Sequence, residues 1–240
     1  MEMIEKEWNR WQEFAVDDQD LQSDLSEMQF DEEKRRDCFY RNLEFGTGGL
    51  RGVLGAGTNR MNIYVIRKAT QGLANYLLKE YKNPGVAIAY DSRIKSELFA
   101  REAAAVLAGN GITAHIYEEL MPTPALSFAV RHLKCQAGIC VTASHNPARY
   151  NGYKVYGADG CQITLKTAEK ILAEIEHIDP FTDVVRLDWE KGLEINHICI
   201  IPHMVKEAYI EAVFNETSGR IATDLHVVYS PLNGAGRSCV

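Results

Sequence analysis

Apolar and polar positions along the chain alternate between long helical stripes and short apolar runs. Near the N-terminus Trp8, Trp11 and Phe14 recur at a spacing of three, which predicts one apolar helix face. The acidic stretch from Ile4 to Tyr40 is helical in character and is expected to pack on the surface of the domain that follows. From Ile63 to Tyr81, the residues Ile66, Ala69, Leu73, Tyr76 and Leu77 line one side of a long amphipathic helix. Val86–Tyr90, after Pro84-Gly85, predicts a buried strand. Ser96–Leu107 predicts a helix stopped near Gly109. Thr113–Tyr117 predicts a strand, Pro124–Leu133 a helix with proline at its start, and Ala137–Val141 a strand. Lys166–Glu176 and Met204–Asn215 follow as helices. Strand alternating with helix argues for an α/β protein, a three-layer α/β/α sandwich with a mixed sheet. Thr217-Ser218-Gly219 reads as a linker. Leu225–Tyr229 then reads as the first strand of a second, similar domain. The expected division is a helical extension over 1–40, a main domain over 41–217, and the start of a second domain, cut off, over 218–240.

The 240 residues suffice for one large domain, or one domain and part of another. With 26 basic and 33 acidic side chains the net charge is −7, which argues against nucleic acid as a partner. No apolar run is long enough to cross a bilayer, and the charged first residues show no secretory h-region. A soluble, cytoplasmic protein without a membrane partner is expected. The six cysteines form no CxxC pair, so buried free thiols are expected rather than a metal site or a disulfide framework.

Four segments carry candidate chemistry. Ala137–Val141 feeds directly into Thr142-Ala143-Ser144-His145-Asn146-Pro147. This puts Ser144 at the carboxyl end of a strand, where α/β sheets bind ligands. A serine hydroxyl needs activation to act as a nucleophile. The GxSxG elbow is absent and no triad partner is visible, which argues against a hydrolase. Tyr150-Asn151-Gly152-Tyr153-Lys154 follows, placing Lys154 on a returning strand, either as a point charge for a phosphate or as a proton donor. Gly46-Thr47-Gly48-Gly49-Leu50-Arg51-Gly52 allows close backbone approach to a phosphate, with Arg51 able to fork onto its oxygens. It fits neither a Walker loop nor a dinucleotide fingerprint. Tyr90-Asp91-Ser92-Arg93 ends a strand, and Asp91 and Arg93 are expected to form a local structural ion pair.

In this order, these segments resemble the α-D-phosphohexomutase superfamily. Thr142 to Pro147 is similar to its phosphoserine loop, and Phe45 to Gly52 to its arginine loop. Tyr90-Asp91-Ser92-Arg93 and Asn151-Gly152-Tyr153-Lys154 also match. The variant Gly-Thr-Gly-Gly-Leu-Arg-Gly, with Ala56-Gly57-Thr58-Asn59-Arg60 after it, looks most like the phosphoglucomutase and phosphopentomutase branch. The resemblance implies an intramolecular phosphotransferase. A phosphoryl group on Ser144 passes to a sugar monophosphate, and the other phosphate of the resulting bisphosphate returns. It implies that His145 and Lys154 flank the reacting oxygens, with Lys154 as general acid or base, and that Arg51 holds developing charge. All four residues would contact the substrate. It also implies Mg2+ bound partly through the phosphate on Ser144, and a sugar 1,6-bisphosphate activator. The family's Asp-Gly-Asp-x-Asp-Arg metal loop has no match here, since Ala158-Asp159-Gly160-Cys161 does not supply it. Carboxylate ligands, sugar recognition and a C-terminal phosphate-binding domain are therefore expected from C-terminal domains missing from this chain. Glucose, mannose, glucosamine and pentose phosphates stay open as substrates, as does an inactive remnant.

Overall fold

The computed structural model describes residues 2–46, 48–219 and 224–240. Six strands form one mixed sheet: β1 (Leu50–Val53), β2 (Gly85–Tyr90), β3 (Thr113–Ile116), β4 (Ala137–Val141), β5 (Tyr150–Gly157) and β6 (Ile198–Ile200). Their order across the sheet is β1-β5-β4-β2-β3-β6. β4, β2, β3 and β6 run parallel. β5 turns back antiparallel between β4 and β1. All residues of β4 and nearly all of β2 are buried, as expected for central strands covered on both faces.

Helices supply the outer layers. α4 (Ile63–Glu80), α5 (Ser96–Gly109) and α7 (Leu165–Glu176) pack on one face, against Val86, Ile88, Ile139, Val141, Tyr153 and Val155. α6 (Thr123–His132) and α9 (His203–Asn215) cover the other, against Ala87, Ala89, Cys140 and Tyr156. Successive residues of each strand thus divide between two cores, giving the expected three layers. α8 (Trp189–Glu194) packs beside α5 and leads into β6. Neither α8 nor the edge strands β1 and β6 stood out in the sequence pattern.

The N-terminal stretch departs from expectation. It forms α1 (Glu2–Phe14), α2 (Gln19–Glu27), a 3-10 turn at Met28–Phe30 and α3 (Glu32–Phe39). Asp18 and Asp31 cap α2 and α3 through their side chains. Trp11 is fully buried rather than resting on the surface. It meets Phe39, Tyr64 and Phe181 edge-on, with centroids 5.5–5.7 Å apart, an arrangement that ring quadrupoles favour. Phe14, placed on the same face by spacing, is exposed instead, because α1 ends there. The extension therefore contributes to the main core.

The segment 225–229, expected as a strand, is not one. A strand needs a ladder partner, no described strand pairs with it, and Leu225, Val227 and Val228 are exposed. Residues 220–223 of the expected second-domain opening lie outside the described residues, as does Thr47 of the glycine loop.

Strand order reverses beside β2. The chain passes from β2 through α5 on one face to β3, then through α6 on the other face to β4, on the far side of β2. A crevice opens at the carboxyl ends of adjacent strands where strand order reverses, here between the loops that follow β2 and β4.

Candidate functional site

The loop after β4 presents Ser144 to that crevice. Thr142 and Ala143 stay buried while Ser144 and His145 are exposed. Ser144 has φ +57°, in the left-handed region, which costs a residue with a Cβ about 1–2 kcal/mol. Local bonds hold this turn. The Ser144 N–H donates to Thr142 Oγ1 at 2.9 Å, and the Asn146 N–H donates to the Ala143 carbonyl at 3.1 Å. Ser144 Oγ lies 3.3 Å from His145 Nδ1, so the structure brings these two expected site residues into contact.

Arg51 arrives from β1. Leu50 pairs with Tyr153 and faces the α4 core, so Arg51, opposite Gly152, faces the other side. Its Nη1 donates to Asn146 Oδ1 at 3.2 Å, which ties the arginine loop to the serine loop. Two glycines permit this approach. A Cβ on Gly49 (φ +81°) would sit 1.9 Å from the Tyr153 carbonyl oxygen, and one on Gly152 would sit 2.5 Å from that of Thr142. The Gly-Gly-Leu-Arg-Gly and Asn-Gly-Tyr-Lys patterns are thus partly a demand for close backbone contact.

Lys154 shares the sheet face of Arg51 and lies directly across from Cys140. Among the described residues its ammonium has neither hydrogen-bond nor ion-pair partner, and no bond joins it to Ser144. The structure therefore links Ser144, His145 and, through Asn146, Arg51, and leaves Lys154 apart from them, half-buried on the same sheet face; neither Arg51 nor Lys154 lines the cleft that holds Ser144.

A cleft of about 840 Å³ contains Ser144, His145 and Asn146 together with Asp91, Arg93, Thr123 and Cys140. Residues 231–235 close one side of it, with the Asn233 carbonyl accepting a hydrogen bond from Ser92 Oγ. Burial pushes the Cys140 thiol up to about 11, so it stays protonated at the cleft floor.

Arg93 does more than the expected ion pair. Its Nε lies 3.5 Å from Asp91 Oδ2. Its Nη1 donates to the carbonyls of Pro147 and Tyr150 at 3.1 Å. Its Nη2 donates to those of Ser144 and Asn146 at 2.6 and 2.5 Å. Asp91 Oδ1 in turn accepts from the Arg93 N–H and from Ser96 Oγ. Sequence reasoning missed this role. Its only signal was the position of an arginine at the end of the strand beside β4.

The residues present do not by themselves suit a divalent cation. Such ions take six or more oxygens, at least one or two of them from carboxylates even when waters and phosphate oxygens supply the rest. Among the described residues no three His, Cys, Asp or Glu side chains gather closely enough to hold a metal. The carboxylate lining the cleft, Asp91, has both oxygens engaged. Asp159 is used in a turn, accepting from the Cys161 N–H. The cysteines are free thiols; Cys38, Cys135 and Cys140 are buried as expected, whereas Cys161 is exposed and Cys199 and Cys239 are half-buried. Among the described residues no helix is long and apolar enough to cross a membrane.

Comparison with known proteins agrees with this architecture. A family model described as phosphoglucomutase/phosphomannomutase, alpha/beta/alpha domain I, matches residues 42–181. A phosphoglucomutase of Staphylococcus saprophyticus is 38% identical over 214 residues, covering 89% of this chain and 39% of that protein. One from Staphylococcus aureus (strain bovine RF122 / ET3-1) is 40% identical over 202 residues, covering 84% of this chain and 36% of that protein. The chain thus spans less than two-fifths of the length of either relative. Among solved structures, a Thermus thermophilus protein assigned as a phosphomannomutase superposes with a TM-score of 0.63 at 29% identity, over 74% of this chain and 37% of that one. The open form of parafusin, a Paramecium phosphoglucomutase, superposes with a TM-score of 0.58 at 18% identity, over 74% of this chain and 36% of that one, a likeness of fold alone. With the matched region running through the arginine loop, the serine loop and β5, the chain belongs to the phosphoglucomutase/phosphomannomutase family of the α-D-phosphohexomutase superfamily.

Proposed function

We propose that this chain is the phosphoserine-bearing part of a phosphohexomutase that interconverts sugar 1-phosphates and sugar 6-phosphates, with Ser144 as the phosphoryl carrier. The observation that carries the reading is the exposed Ser144 hydroxyl, held on a left-handed turn 3.3 Å from His145 Nδ1 in a cleft at the reversal of strand order. Loading takes place by attack of Ser144 Oγ on the phosphorus of a sugar 1,6-bisphosphate. The P–Oγ bond forms, the bond from phosphorus to the sugar oxygen breaks, the hydroxyl proton passes to a neighbouring base, and the sugar oxygen takes up a proton. Transfer in the other direction reverses these steps onto a sugar monophosphate. Such chemistry asks the protein chiefly for positioning and charge neutralisation, because a phosphoserine carries about −1.5 to −2 charge.

Roles follow from position. His145 is in reach of the Oγ proton. Arg51 lies on the serine loop through Asn146. Lys154, unpaired on the same face, is the general acid or base for the sugar oxygen. Mg2+ belongs to this proposal only through the phosphate on Ser144, with carboxylate ligands from outside this chain. Sugar recognition is likewise assigned to C-terminal domains beyond it, with 1–40 as helical extension, 41–217 as the first domain and 218–240 as the opening of the next. The name phosphoglucomutase of the staphylococcal relatives supports glucose phosphates, with pentose phosphates as the alternative, and a cytoplasmic setting is part of the same proposal.

The test is incubation of the 240-residue protein with glucose 1,6-bisphosphate, mass spectrometry of the Ser144 peptide, and an assay of turnover. One added phosphoryl group on Ser144 is expected, and label without turnover marks a loaded half-site. Absence of both marks an inactive remnant. An acyl adduct formed with an activated ester, in place of the phosphoryl label, marks a hydrolase.

A further inference from the structure

We infer that Arg93 is a positioning residue that turns the serine loop so that the backbone N–H groups of His145 and Ala148 form a cradle for the phosphoryl group. This rests on the reading of Ser144 as its carrier. A guanidinium has five N–H donors in a fixed fork. Here one faces Asp91 and four reach the carbonyls of Ser144, Asn146, Pro147 and Tyr150. The side chain is only 12% exposed, and the bonds to Asn146 and Tyr150 are partly buried, while those to Ser144 and Pro147 lie at the surface.

The consequence lies on the opposite side of each peptide. In a trans peptide the N–H points away from the carbonyl it is joined to, and no cis peptide is present among the described residues. The Ser144 and Pro147 carbonyls bind Arg93, so the His145 and Ala148 N–H groups are directed away from it. Among the described residues neither N–H has a protein acceptor, although their neighbours at 144, 146 and 150 do. Both residues line the cleft with Ser144. Unpaired backbone N–H groups are donors for an anion, and these two flank the turn that Ser144 makes in the left-handed region. The same clamp turns four carbonyl dipoles away from a dianionic phosphate that they would otherwise repel. Lysine cannot substitute, being a point charge without the fork.

The test combines Arg93→Lys and Arg93→Gln in the 240-residue chain with two readouts: the rate of phosphoryl labelling from glucose 1,6-bisphosphate, and the amide proton shifts of His145 and Ala148. Displacing a reacting group by about 1 Å costs on the order of 100-fold in rate. A loss of that order at saturating bisphosphate is expected in both variants, with little change in the half-saturating concentration. In the wild type both amides are expected to move downfield on labelling, and also on titration with inorganic phosphate, and these responses should vanish in both variants. Wild-type labelling rates in either variant, or amides at 145 and 148 that ignore phosphate, would overturn the inference. If the wild type takes no label, the Ser144 reading fails by itself. The phosphate response of the two amides, kept in the wild type and lost in the variants, still decides the role of Arg93.

Discussion

Arg51 and Asn146 stand 95 positions apart in sequence, yet the guanidinium of one donates to the side-chain oxygen of the other at 3.2 Å. The contact joins an edge strand to the loop of a central strand, across β5, which pairs with both. Under the proposed function, a cation is thereby held on the serine loop in advance, so less ordering would be left to be done when a phosphate charge appears there.

Ser144→Ala should abolish phosphoryl labelling and leave the circular dichroism spectrum unchanged, since an exposed loop hydroxyl contributes nothing to the core. Ser144→Gly should also take no label, yet unfold at higher denaturant than the alanine variant. Glycine relieves the positive φ, which is worth about 1 kcal/mol. Labelling that survives either change assigns the phosphoryl group to another residue.

Arg51→Gln keeps a hydrogen-bonding side chain but removes the charge. Stability is expected to stay within about 0.5 kcal/mol, because the residue is exposed. The labelling rate should fall by about 100-fold, the range found when one transition-state donor is lost. Equal rates in rapid-quench labelling would separate Arg51 from the reaction.

Gly152→Ala places a Cβ 2.5 Å from the Thr142 carbonyl and 3.0 Å from that of Leu50. Both atoms are backbone, so the strands themselves must move, at about 1–3 kcal/mol. For a chain of this size a melting point lower by about 5 °C is expected in calorimetry. Labelling should slow as well, since Thr142 supports the Ser144 turn.

Burial pushes the Cys38 and Cys140 thiols up to about 11 and Cys135 up to about 12, from an ordinary 9.0. Below pH 9 these thiols are protonated folded and unfolded alike, and their contribution to stability is fully present. Above it the unfolded chain gives up protons first, so the contribution declines and is gone once the pH passes 11 to 12. Denaturant midpoints should therefore fall from pH 9 upwards. At pH 8, iodoacetamide should modify exposed Cys161 first and reach Cys135 and Cys140 only on unfolding.

The serine loop was legible because its parts lie together in the chain. An apolar run ends at Val141, and a polar hexapeptide follows it at once. Similarly, α4 was readable from Ile66, Ala69, Leu73 and Leu77, whose period survives whatever packs against them. The strand Leu50–Val53 was not, since four residues containing arginine and glycine carry no apolar alternation, and only pairing with β5 makes them a strand. Trp11 and Phe14 share one stripe by spacing, but only the aromatic groups from α3, α4 and residue 181 decide which is enclosed.

By itself, then, the chain of residues settled the alternation of helices and strands from α4 to β4, the family resemblance, and the location of Ser144 at a strand's end, because those depend on neighbours in sequence. Tertiary structure alone decided the strand order, the union of Arg51 with Asn146, and the turning of Arg93 onto three carbonyls of the serine loop and that of Tyr150. These depend on directions in space between segments about 50 to 100 residues apart, and a directional hydrogen bond is specified only when both backbones are in place.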